Sequence, residues 1–161
     1  MSRSKKLRAS LKEIAERLHG SSPTRVFGFR LVRARPDSVV IRMRVRDAHK
    51  QMNRVVHGGV LACLADTAGG FAAFLAAPPG SRVLTIELKI NFLEGVEHGE
   101  IKADARVLRQ GKTTSVVDCN VTDQDGRLVS KALMTLAILP PKHPDRSPQP
   151  KRRTHGTNGI G

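Results

Sequence analysis

Apolar and polar positions alternate along this chain in two periods, and the switch between them marks out its elements. Near the start, Leu7, Leu11, Ile14, Ala15 and Leu18 recur at helical spacing with basic residues between them, and Gly20 with Pro23 follows as a stop. The period then becomes two. Phe27, Phe29 and Leu31 share one face of a stretch from Val26 to Arg35, and a "PDS" turn follows. In "VVIRMRVR", Val39, Ile41, Met43 and Val45 alternate with Arg42, Arg44 and Arg46, which predicts a hairpin of half-buried strands. After the loop "DAHKQMNRVV", residues 58–77 read as one almost wholly apolar helix. Beyond "PPG" the two-residue period returns, with Leu84, Ile86, Leu88, Ile90 and Phe92 on one face and Thr85, Glu87, Lys89 and Asn91 on the other. Further strands are expected near 100–109, 113–122 and 127–139, separated by the turns "EHGE", "QGK" and "DQDG". Strands joined by tight turns pair antiparallel, so the pattern predicts an α+β domain in which an antiparallel sheet wraps a long buried helix.

Three stretches follow: a basic amphipathic N-terminal helix over 1–24, a folded domain over 25–139, and a Pro-, Gly- and charge-rich tail over 140–161 expected to be disordered. The N-terminal stretch lacks the continuous apolar segment of a secretory signal, and no unbroken run of 18 apolar residues predicts a membrane span. Aromatic residues make up 3% of the chain, with no Trp and no Tyr, so aliphatic side chains must fill the core. Cys63 and Cys119 both fall in apolar segments, which suits two reduced thiols in the cytoplasm. The net charge of +14 is concentrated at the ends. Residues 1–54 carry fifteen basic against four acidic side chains, whereas 55–139 carry eight against nine. That surplus favours a polyanionic partner without choosing between nucleic acid, acidic lipid and a phosphorylated small molecule.

Several motifs fail. A P-loop around "QGKTT" would need glycine where Arg106 stands, and the six histidines and two cysteines show no metal-ligand spacing, so neither metal nor cofactor is expected. No GxSxG elbow is present.

What remains is Asp66, one carboxylate in the middle of the apolar helix, eight residues after Gly58 in "VVHGGVLACLADTAGG". A buried carboxylate without a partner costs several kcal/mol, so its presence calls for a reason. The helix opens on His57, Gly58 and Gly59. Its first amides have no partner within the helix and can donate to an oxyanion, assisted by the positive end of the helix dipole. Eight residues of helix span about 12 Å, too far for Gly58 and Asp66 of one chain to act on the same atom. Two chains packed about a two-fold axis would bring one chain's Gly58 to the other's Asp66.

The segments "QMNRVVHGGVLACLADTAGG" and "VLTIELKINFLEGVEHGEIKADARVLRQGKT" resemble the hotdog-fold acyl-CoA thioesterases of the PaaI, 4-hydroxybenzoyl-CoA thioesterase-like type, over about residues 25–139. The resemblance implies the hotdog fold and metal- and cofactor-free hydrolysis of an acyl- or aryl-CoA substrate. It also implies a homodimer or dimer-of-dimers tetramer with sites shared between subunits. Carried over by position, Asp66 is the general base or nucleophile, Gly58 the oxyanion amide and His57 the histidine that orients the site. Gln51 orients water or the thioester, and Thr85 supplies a hydroxyl that positions water. Gln51 and Gly58 would come from one subunit, Asp66 and Thr85 from the other. Arg54 departs from the pattern, since many members have glycine there. Plainer roles stay open: Asp66 as the partner of an arginine, His57 as a helix cap, Gln51 as a loop residue with Asn53 as its rival, and Thr85 as an ordinary strand residue. A hotdog dehydratase or a non-catalytic acyl-CoA binder is the alternative function. The absence of Tyr and Trp leaves few stacking platforms for nucleic acid.

Overall fold

The computed structural model describes residues 13–141. Leu7 and Leu11 of the expected first helix, and the expected tail beyond residue 141, lie outside the described residues. Helix α1 (residues 13–20) is followed at once by a second short helix, α2 (Ser22–Phe27). The expected strand from Val26 therefore begins later, as β1 (Arg30–Arg35). Pro23 does not simply stop the first helix; it sits in the first turn of the next one, where its missing N–H costs nothing. Ser21 caps that turn through its hydroxyl, which accepts from the Thr24 amide, and Gly28 closes it at a φ of 73°. Ile14 and Leu18 of α1 are fully buried, and Arg17 lies over the Phe74 ring at 4.7 Å, docking α1 against the long helix.

The remaining elements are β2 (Ser38–Arg44), a 3-10 turn (Asp47–His49), α3 (Gly58–Ala76), β3 (Arg82–Phe92), β4 (Glu100–Gln110), β5 (Thr114–Thr122) and β6 (Leu128–Leu139). The six strands form one antiparallel sheet in the order β1-β2-β4-β5-β6-β3. The hairpins β1–β2, β4–β5 and β5–β6 pair as their tight turns require. Strand β3 instead crosses to the far edge and pairs with β6.

Helix α3 packs against every strand. Its inner face, from Val60 and Leu61 through Leu64, Ala65 and Ala68 to Ala72 and Ala73, meets Ile41 and Met43 of β2, Ile101 and Ala103 of β4, Val117 and Cys119 of β5, and Met134 and Leu136 of β6. The core is mostly aliphatic, as the composition required, with Phe29 its largest fully buried side chain. Small residues on α3 let the sheet come close: a Cβ on Gly69 would collide with the Met134 thioether. By length and hydropathy α3 could cross a membrane, but one face of it lies on the sheet and Asp66 interrupts it. Asp66 is also less enclosed than the sequence suggests. It lies on the flank of α3, outside the fully buried stripe, and is only half-buried in a single chain.

Candidate active site

Strand β3 does not keep an unbroken two-residue period. Its register against β6 shifts between Thr85 and Glu87, leaving Ile86 as a bulge. Below the bulge Leu88 faces Met134 and Ile90 faces Ala132; above it Thr85 stands opposite the fully buried Leu136. Directly opposed residues share a face of the sheet. The bulge therefore turns Thr85 from the outer face, where strict alternation puts it, to the face that meets α3. There the Thr85 hydroxyl donates to Asp66 Oδ1 at 2.7 Å. Asp66 makes no ion pair with an arginine among the described residues; the partner it has there is Thr85.

At the start of α3, His57 is the N-cap. Its Nδ1 accepts from the Gly59 amide at 2.9 Å. The Val60 amide is taken by the His57 carbonyl. Among the described residues the Gly58 amide has no acceptor. The cap thus satisfies the neighbouring donors and leaves this one available. Gly58 also lies close under the Phe92 ring, where a Cβ would stand 3.1 Å from it and the ring would have to give by a few tenths of an ångström.

The loop before the helix is a closed turn. The Gln51 amide donates to the Val55 carbonyl and the Arg54 amide to the Gln51 carbonyl, while Lys50 and Val56 form an antiparallel bridge. Arg54 is the one non-glycine residue at positive φ, 63°, among those described. Arginine thus takes the left-handed conformation at the position where the resemblance leads one to expect glycine. The Gln51 side chain folds back, its Oε1 accepting from the Asn53 amide at 2.7 Å, which leaves the Nε2 donor over. The loop is anchored by the His57 amide, which donates to the His49 carbonyl. His49 is buried under Arg46, whose guanidinium and backbone amide both approach its ring; burial first, and then the Arg46 charge, lower its pKa and keep it neutral.

Thiol chemistry is disfavoured. Burial raises the pKa of Cys63, one turn from Asp66, with the Asp66 charge adding to the rise and the Thr67 hydroxyl opposing it. Burial pushes Cys119 up to about 12. Among the described residues no cluster of three His, Cys, Asp or Glu side chains is placed to hold a metal.

Beside Gly58 an open cleft of about 380 Å³ runs between the helix start and the end of β3, reaching Phe92, Leu93, Glu94 and Gly95. Periodicity assigned Phe92 to a core face and gave no role to Glu94 or Gly95; nothing local in the sequence marks them as neighbours of Gly58. Within one chain the structure brings together Thr85 with Asp66, and His57 with the Gly58–Gly59 amides. Gln51 sits on the adjoining loop. The two groups are separated by two turns of α3, about 12 Å along its axis.

The model of the thioesterase superfamily matches residues 53–130, which contain His57, Gly58, Asp66 and Thr85. Acyl-coenzyme A thioesterase 13 of Pongo abelii is 30% identical over 107 residues, 65% of this chain and 76% of that protein. The chain belongs to the thioesterase superfamily. The 1,4-dihydroxy-2-naphthoyl-CoA hydrolase of Listeria monocytogenes is 27% identical over 111 residues, 69% of this chain and 90% of the relative. Among solved structures, a thioesterase family protein from Silicibacter pomeroyi superposes with a TM-score of 0.77 at 26% identity, covering 81% of this chain and 98% of the other. The central helix on a six-stranded antiparallel sheet is the hotdog fold of this family, and the family chemistry is thioester hydrolysis.

Proposed function

We propose that this thioesterase hydrolyses acyl-coenzyme A thioesters in a site assembled from two copies of the chain. The observation that carries the proposal is the pairing of Thr85 with Asp66 on the flank of α3, two turns from an unengaged Gly58 amide. Asp66 is oriented by Thr85 through Oδ1, which leaves Oδ2 to take a proton from water or to attack the thioester carbonyl directly. In the first route water adds to the carbonyl carbon and the oxygen that becomes negative is held by the Gly58 amide of the partner subunit. Collapse of the tetrahedral intermediate breaks the C–S bond and releases the free acid and the coenzyme A thiolate, which is protonated on leaving. His57 keeps the helix start in order, and Gln51 supplies its spare amide donor to the thioester or the water.

Two features of the single chain support the dimer. Strand β3 is a sheet edge, and Leu84 and Ile86 on it are 57% and 63% exposed. A long edge left unpaired, with two apolar side chains exposed on it, invites another strand, and a second β3 about a two-fold axis would provide one. The same axis would cover the outer face of α3 and place one chain's Asp66 by the other's Gly58. Two such dimers would make the tetramer that the resemblance also allows. Coenzyme A as the carrier is supported by the relatives named above and by the basic surplus at the chain ends, since its phosphates call for Arg or Lys at the site mouth. The cytoplasm, where Cys63 and Cys119 stay reduced, is the proposed compartment.

A panel of acyl- and aryl-CoA thioesters, read by release of free thiol from the full-length protein, tests the proposal. At least one member should be hydrolysed at a rate unchanged by chelator; no release from any of them, or activity abolished by chelator, contradicts it.

A further inference from the structure

The cleft beside Gly58 has a polarity that separates the two ends of its substrate. Val55, Val56 and Leu61 line it on the helix side, and Phe92 and Leu93 on the strand side. Any occupant therefore meets branched aliphatic groups and one aromatic ring, next to the residue whose amide is unengaged. The sole ionisable side chain on the lining is Glu94, which is exposed. Arg127 feels the Glu94 charge but is held by Asp123 at 2.7 Å, and Glu94 makes no ion pair among the described residues.

A coenzyme A thioester carries phosphates at one end and an acyl group at the other. Among the described residues that line the cleft none carries a positive charge to hold the phosphate end, and a carboxylate is there to repel it. The apolar walls suit the acyl end, which removes its surface from water on entering. On the reading of the protein as an acyl-CoA thioesterase, we propose that this cleft is the acyl pocket and that Glu94 selects against acyl groups ending in a carboxylate. Phe92 lines the cleft and lies against Gly58, so this ring bounds the space beside that amide.

Hexanoyl-CoA and adipoyl-CoA match in chain length and differ by the terminal carboxylate, so the ratio of their kcat/KM values isolates the charge. For the wild-type protein the ratio should favour hexanoyl-CoA by about 10-fold or more, since the carboxylate loses water in an apolar cleft and meets a like charge. Glu94→Gln should narrow the ratio about fivefold, and about 0.5 M salt should narrow it for the wild type and not for the variant. A second variant, Phe92→Ala, should raise the decanoyl-to-hexanoyl ratio by deepening the pocket. Ratios that move with neither substitution overturn the assignment of this cleft while leaving thioester hydrolysis standing. Thiol released from no acyl-CoA overturns the thioesterase reading itself, and the pocket assignment with it.

Discussion

Asp66 can be tested against the one structural role that it visibly has, as acceptor for Thr85. In Asp66→Asn the side-chain carbonyl still accepts that hydrogen bond, so the contact survives and only the charge is lost. The account predicts a fall in kcat of about 100-fold or more, the usual size of a general-base contribution, with the melting transition little changed. A variant that melts early and keeps its specific activity would make Asp66 structural. His49 gives a second prediction at this scale. Burial and Arg46 lower its pKa in the folded state, so below its unfolded value of about 6.5 the unfolded chain binds the extra proton and stability falls as pH falls. The Tm of the wild type should therefore drop more steeply from about pH 7.5 to 5.5 than that of His49→Gln; equal slopes would show that His49 is not the group responsible. Gly58 and Asp66 were legible in the sequence because a glycine pair and a lone carboxylate contrast with their apolar surroundings. Phe92 and Glu94 were not, since more than thirty residues of chain separate them from Gly58 and only the fold closes that gap.

At the scale of elements, the strands with one buried face were legible from alternation alone. The expected strand near 100–109 is β4, and that near 127–139 is β6. Alternation failed where an apolar residue concealed an interruption. Ile86 continues the pattern of Leu84 and Leu88 by type, yet it is the bulged residue, and the bulge puts Thr85 against Asp66. Helix α2 was hidden because Pro23 reads as a stop unless Ser21 is recognised as the cap of a new helix. The edge position of β3 depends on a crossover that local pattern does not encode. It carries a prediction of its own: Leu84→Lys with Ile86→Lys should leave a folded monomer, because both side chains are exposed in the single chain, and should abolish hydrolysis. Sedimentation of the variant as an active dimer would show that the copies meet elsewhere.

For the whole molecule, the separation of the two halves of the site is the organising fact. One helix holds the amide at its first residue and the carboxylate two turns on, and its outer face and the neighbouring sheet edge are open in the single chain. In the proposed dimer a second copy related by a two-fold axis would complete both sites at once, and the basic surplus would be left to meet the phosphates of the carrier. The most direct test of a site shared between chains is to mix Gln51→Ala and Asp66→Ala proteins, each nearly inactive alone, and let their subunits exchange. Each mixed dimer would hold one doubly damaged site and one intact site, and random exchange makes about half of all dimers mixed. The account predicts that roughly a quarter of wild-type activity returns on mixing. Activity that stays at the parental background, with exchange confirmed by mass spectrometry, would contradict it.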